Sequence, residues 1–340
     1  MADAAGTGAV AILELDAQYR QLREECGLFD RSARGKLVLS GQDVAEYLQG
    51  QLTNDVEALA PGEGCYAALL DRKGHIQADM RVLHLSGAPY VSQRHIRRTG
   101  SKEGEGFWLD MEPEGSETAR RHLAMYKIGR EVEVDDVTAE AAILSLIGPR
   151  SAEVAGAPPL PEHACEALTA HGVECLAVGT AGGVDLIAPR DEAERLRGAL
   201  IAAGAVEVDA EAVEVLRIEA GIPRFGAEMG AETMPAEAGI VERAVSFEKG
   251  CYIGQEPVAR LHYRGRPNRR LLGLRLSAPA AAGEALRLGE REVGRIGSAC
   301  VSPAFGPIAL AIVRREAKPG DELAVGEAGV TARVVELPFG

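Results

Sequence analysis

The chain has 340 residues, of which 46% are hydrophobic and 26% charged, and its net charge is −14. Apolar content this high excludes a disordered polymer, and the length suits two or three domains. An acidic body disfavours non-specific nucleic-acid binding, and no apolar run approaches the ~20 residues that cross a bilayer, so neither nucleic acid nor membrane is an expected partner.

Leu15, Tyr19, Leu22 and Cys26 share one helical face, which predicts a helix over Glu14–Cys26, stopped by Gly27. Asp3 and Glu14 precede the first basic residue, Arg20, a pattern unlike an export or transit signal and read as cytoplasmic. A short strand is expected at Lys36–Ser40 and a second helix at Gln42–Leu52. Cys65–Leu70 and His75–Leu85 read as strands joined by a turn at Asp71-Arg72-Lys73-Gly74. Along the second, Ile76, Ala78, Met80 and Val82 point one way, and Gln77, Asp79 and Arg81 the other. Asp79 therefore lies on a polar or cavity face, where a carboxylate can orient or deprotonate a ligand amine.

A strand at Pro89–Ser92, a polar loop at Gly100–Gly106, a helix at Glu117–Tyr126 and strands at Glu131–Val134 and Ala142–Ile147 follow. Val173–Val178 and Val184–Ala188 pair as strands, and helices are expected at Asp191–Ala203 and Asp209–Ala220, the latter capped by Asp209. After Arg269 short alternating strands recur between Gly, Pro and charged turns: Leu271–Leu276, Ala285–Leu288, Glu292–Ser298, Ile308–Val313, Leu323–Val325 and Val330–Leu337. They predict an all-β barrel of about 70 residues. The expected domains are 1–266, with two α/β sub-domains, and 267–340, the barrel.

Two loose G-x-G-x-x-A matches, at Gly6 and Gly62, open no helix after a strand and are rejected as dinucleotide sites. His163, Cys165, His171 and Cys175 have a spacing that matches no familiar zinc site, so no metal centre is expected. None of the six cysteines forms C-x-x-C, and a disulfide framework is not expected. The strongest local signal is Lys249-Gly250-Cys251-Tyr252-Ile253-Gly254-Gln255-Glu256. Two glycines flank the thiol and allow a tight, exposed turn. Lys249 and five arginines between 260 and 270 bring positive charge, which favours thiolate chemistry. The alternative for the same residues is a turn before an edge strand, with Cys251 as small filler.

This octapeptide resembles the K-G-C-[FY]-x-G-Q-E signature of the YgfZ family, a branch of the glycine-cleavage T-protein superfamily. The resemblance runs on through Pro257-Val258-Ala259-Arg260, Tyr263-Arg264-Gly265 and Pro267-Asn268-Arg269-Arg270. Gly27–Asp30, Gly35–Leu37, Leu52–Val56, Gly74–Asp79, Arg217–Pro223 with Gly226, and Val293-Gly294 with Ser298 and Ser302-Pro303 resemble blocks of the wider superfamily. What the resemblance implies is an α+β chain, with two ferredoxin-like sub-domains and a C-terminal β-barrel in a ring around a central folate channel. It implies tetrahydrofolate as the cofactor. It implies Cys251 and Lys249 as the catalytic pair and Asp79, Glu219, Gln255, Glu256, Arg260 and Tyr263 as folate-binding residues. It implies a role in assembling or repairing iron–sulfur clusters of client proteins, including enzymes that modify tRNA.

Two departures bear on the alternative, a folate-dependent aminomethyltransferase. Ala181 stands where T-proteins carry a pterin-binding acid, and Ala78-Asp79 stands for their paired acids. Pterin donors left without a carboxylate cost ~1–3 kcal/mol. The expectation is therefore an accessory factor with weaker or altered folate binding and no aminomethyl transfer.

Overall fold

The computed structural model describes residues 4–85 and 106–340. The strand expected at Pro89–Ser92 and most of the loop expected at Gly100–Gly106 lie outside them. The first helix runs Ala4–Glu24 and ends before Cys26. Gly27 does not stop it but opens strand β1 (Gly27–Asp30). A Cβ on Gly27 would sit 2.5 Å from Leu22 Cδ2, so a larger residue there would push the Leu22 side chain aside where the strand passes beneath the helix.

The N-terminal part contains two sheets. The five-stranded sheet has the order β3-β4-β5-β2-β6, from Gly64–Leu70, Ile76–Leu85, Gly106–Met111, Gly35–Ser40 and Glu133–Asp136. The six-stranded sheet has the order β11-β1-β7-β10-β9-β8, from Val206–Glu207, Gly27–Asp30, Ala141–Ile147, Gly183–Pro189, Val173–Thr180 and Cys165–Ala170. Strand alternation gives each sheet two faces. Leu37, Leu39, Leu69, Met80, Val82 and Leu109 of the first sheet pack with Leu48, Ala119 and Leu123 of the helices Val44–Gln51 and Pro113–Met125. Leu144, Leu146, Cys175, Ala177 and Leu186 of the second pack with Leu196 and Leu200 of the helix Ala193–Ala202. The remaining faces meet through Val38, Leu83 and Trp108 on one side and Ile143, Leu176, Val178 and Ile187 on the other.

Residues beyond the helix Ala210–Glu219 cross to the β3–β4 edge, where Phe225, Met229, Ile240, Tyr252 and Val258 pack on Ala68, Leu70 and Ile76. Asp209 occupies the N-cap position, but its side chain makes no capping bond and instead accepts from Gln18 Nε2 at 2.9 Å. The last six strands close into a barrel in the order β12-β15-β14-β13-β16-β17, over Arg269–Leu276, Gly306–Arg314, Arg291–Ser302, Ala285–Leu288, Glu322–Val325 and Val330–Val335. Ile218 joins it to the rest through Ile308, Leu310 and Phe339. The chain is thus α+β with a closed six-stranded C-terminal barrel. No described helix is long and apolar enough to cross a membrane.

Candidate functional site

Next to their apolar contact, the facing sheets carry charge. The antiparallel register sets Arg81 of β4 opposite Tyr66 of β3 and Asp110 of β5. Arg81 Nε donates to Asp110 Oδ2 at 2.9 Å, and its Nη1 donates to Asp185 Oδ2 on the other sheet at 2.8 Å. Ser145 of β7 donates to Asp185 Oδ1 at 2.6 Å. Arg34 Nε donates to Asp110 Oδ1 at 2.9 Å, and Arg34 also pairs with Glu112. Burial raises the Asp110 carboxyl, but Arg81 and Arg34 outweigh it and hold the group at about 2. One buried arginine thus ties the two sheets together, and every oxygen of Asp110 and Asp185 has a partner.

Asp79 belongs to the same charged face and differs in one respect. Tyr66 Oη donates to its Oδ2 at 2.7 Å, while its Oδ1 is buried without a partner. Burial raises the Asp79 pKa, against the pull of Tyr66 and Arg34. A buried acceptor left empty costs ~1–3 kcal/mol, so such an atom calls for an occupant. Around it stand more polar groups. The Arg243 guanidinium lies 5.5 Å from the centre of the Tyr66 ring and pairs with Glu162 at 2.7 Å. His163 holds a φ of 66°, a left-handed conformation uncommon without glycine, and its Nδ1 is buried and empty. Burial lowers its pKa. Arg31 Nε is likewise buried and empty. Three of the seven described residues with an orphaned buried atom, Asp79, His163 and Arg31, lie within electrostatic reach of the Arg34–Arg81–Asp110 cluster.

The octapeptide is built differently from its expectation. Lys249 does not serve the thiol. Its buried Nζ donates to the carbonyls of Gln49 at 2.6 Å, Leu52 at 2.7 Å and Asn54 at 2.8 Å, at the end of the helix Val44–Gln51. Burial lowers its pKa to about 8. The ammonium is a pin for the chain where that helix ends, with backbone carbonyls rather than the thiol as its hydrogen-bond partners. Cys251 is exposed. Gly254, at φ 83°, starts a helix over Gln255–Arg264 where a turn before an edge strand was the alternative. A Cβ there would lie 2.4 Å from Asp71 O, so the glycine lets the octapeptide dock on the β3–β4 turn.

Gln255 opens that helix, and Glu256 pairs with Arg260 on its exposed side. Tyr263, 68% exposed, meets Phe247 and His262 edge-on. Among the described residues, none of these four has a side-chain bond to the Asp79 cluster. Glu219 is also elsewhere. Ser302 donates to its Oε1 at 2.5 Å, Tyr19 donates to its Oε2 at 3.2 Å, and Arg23 pairs with it. Its oxygens brace the first helix against the barrel. Ala181 lies in the exposed turn between β9 and β10. Among the described residues, no group of three or more His, Cys, Asp or Glu is arranged to hold a metal ion.

Sequence reasoning reached Asp79 but missed its surroundings. Alternation alone put Arg81 on the same face, and the signal for Tyr66 was the same periodicity on β3. Asp185, His163, Arg31 and Arg34 come from distant segments and carry no local mark.

Comparison with known proteins identifies the lineage. The family model described as the GCVT N-terminal domain matches residues 11–249, and that of the glycine cleavage T-protein C-terminal barrel domain matches residues 269–339. The chain is 30% identical to an aminomethyltransferase of Rubrobacter xylanophilus, over 96% of this chain and 86% of that protein. It is 30% identical to an aminomethyltransferase of a Synechococcus species, over 97% and 92%. The crystal structure of glycine cleavage system aminomethyltransferase T from Bartonella henselae superposes with a TM-score of 0.82 at 22% identity, covering 96% of this chain and 89% of that one, and shares the fold. The relatives' names overturn the expectation of an accessory factor for iron–sulfur enzymes and favour the reading that stood as its alternative. With both domain models matched in order along nearly its whole length, the chain belongs to the glycine cleavage T-protein family.

Proposed function

We propose that the chain binds tetrahydrofolate at the charged cluster around Asp79, beside the contact of the two sheets, and acts as a folate-dependent aminomethyltransferase. The observation that carries this reading is Asp79: a half-buried carboxylate with one oxygen anchored by Tyr66 and the other, buried, without a partner among the described residues. The pterin head of a folate presents N–H donors, the complement of that empty acceptor. When bound, tetrahydrofolate supplies the nitrogen that takes up a one-carbon unit.

The chain's own residues set the conditions. Tyr66 fixes the Asp79 carboxylate in one orientation. Burial raises the Asp79 pKa, which makes the group a better proton acceptor at that atom. Arg81, held between Asp110 and Asp185, fixes the spacing of the sheets on which the site is built. Asp185, four residues beyond Ala181, is the buried acid of its hairpin, but Arg81 and Ser145 occupy its oxygens. In this reading Asp79 alone meets the pterin donors. The octapeptide, on which the YgfZ resemblance rests, then marks a branch of the family whose exposed Cys251 lies at the surface.

The test supplies tetrahydrofolate and an aminomethylated lipoyl carrier protein and follows ammonia and methylene-tetrahydrofolate. Turnover that falls at least tenfold in Asp79→Asn supports the proposal. Folate binding with no turnover would reduce the chain to a binding protein.

A further inference from the structure

Arg31 lies on the link that carries the chain from β1 in one sheet to β2 in the other. The link is rigidly held. Arg31 N–H donates to Ile143 O at 2.9 Å, and Ser32 N–H to Asp30 Oδ1 at 2.7 Å. The fully buried Lys36 ammonium donates to the carbonyls of Ser32 and Arg34, both at 2.7 Å, and of Thr138 at 3.2 Å. Two guanidinium groups leave this link. That of Arg34 is taken up by Asp110 and Glu112.

That of Arg31 is not. Its Nε is buried without a partner, and among the described residues no carboxylate reaches it at ion-pair distance. Asp185 is its strongest favourable electrostatic neighbour, but Arg81 and Ser145 already hold both Asp185 oxygens. Arg34 and Arg81 repel it. Among the described residues its one ring contact is Phe29, with the centroid 6.0 Å away. An unpaired, half-buried cation among like charges is unfavourable unless an anion arrives. A planar fork of donors selects a carboxylate, which it can grip with two parallel bonds.

We propose that Arg31 is an anion-recognising residue of this charged cluster and takes a ligand carboxylate, so that the site has an accepting end at Asp79 and a donating end at Arg31. The inference rests on the folate reading only for the ligand at Asp79. The carboxylate has two sources, the glutamyl tail of the folate or a separate small carboxylic acid bound beside it.

Calorimetry on the full chain, with tetrahydrofolate and with a tail-less tetrahydropterin, and thermal melts with acetate, separate the two. If wild type binds neither pterin, the folate reading fails, and the acetate melts still test Arg31. If the tail is the source, Arg31→Gln weakens tetrahydrofolate roughly tenfold to a hundredfold and leaves tetrahydropterin unchanged. If the acid is separate, acetate raises the wild-type melting temperature but not that of Arg31→Gln, and both pterin affinities are preserved. Arg31→Lys, which keeps the charge and loses the fork, is expected to fall between. Since no ion pair is lost, the ligand-free melting temperature of Arg31→Gln should equal or exceed that of wild type. A large drop in it, or no effect of Arg31→Gln on any of the three ligands, overturns the proposal.

Discussion

Replacing Lys249 with methionine keeps the length of the side chain and removes its ammonium from three carbonyls. Three buried acceptors losing a charged donor, at ~1–3 kcal/mol each, amount to about 5 kcal/mol of destabilisation. Against this, the charge was costly to bury. Its pKa is pulled from 10.5 to about 8, which at ~1.4 kcal/mol per unit is worth roughly 3 kcal/mol. The net expectation is a loss of about 2 kcal/mol at neutral pH, read from urea unfolding of both proteins.

The same balance sets a pH dependence. Below about 8 the residue is protonated in both the folded and the unfolded chain. Between about 8 and 10.5 the unfolded chain still holds the proton and the folded chain does not. The unfolded state then binds more protons, so stability rises with pH across this window. Lys249→Met lacks this contribution, so the gap between the two proteins should widen by up to roughly 3 kcal/mol there. Lys36, also lowered to about 8 by burial, is present in both and cancels. A variant within ~0.5 kcal/mol of wild type, with a gap flat in pH, would refute the assignment of Lys249 as a pin.

A thiol reagent at neutral pH is expected to label Cys251, which is exposed, before Cys26 and Cys175, which burial pushes up to about 11; equal labelling of the native protein contradicts this. Gly254→Ala should cost more than ~1 kcal/mol, because it forces a side chain to φ 83° and into Asp71 O, and an unchanged melting temperature would exclude that strain. Arg81→Met should destabilise by ~3–5 kcal/mol by leaving Asp110 and Asp185 short of a counter-charge, measured by denaturant unfolding. Asp110, depressed from 3.8 to about 2, contributes stability that is full above 3.8 and lost as pH falls towards 2, so this acid limb should flatten in Arg81→Met.

Local pattern carried much of the fold into the sequence. The period-two texture after Arg269 marked the barrel strands, because alternate residues of each strand fill the barrel core. The same alternation put Asp79 and Arg81 together, opposite Ala78 and Met80. What local pattern could not show was tertiary in origin. Gly27 looked like a helix stop, yet its lack of a side chain serves a strand passing under Leu22. Lys249 looked like a charge beside a thiol, yet its partners lie about 200 positions away in the helix Val44–Gln51 and the residues after it. Glu219 sits in a block shared with T-proteins, and only the packed structure shows the barrel serine that occupies it. The site's orphaned atoms are legible only in the structure, because an unmet hydrogen bond is a property of the surroundings.

The account stands on Asp79 as the carboxylate that receives the ligand. Titration of tetrahydrofolate into wild type and Asp79→Asn by calorimetry under reducing conditions tests it most directly. The amide would present donors to the pterin's donors, so the expected result is saturable binding to wild type and binding weaker by roughly tenfold to a hundredfold in the variant. The ligand-free variant should melt no lower than wild type, because the Oδ1 it replaces has no partner among the described residues. Equal affinity in the two proteins, or no binding by wild type, would contradict the account.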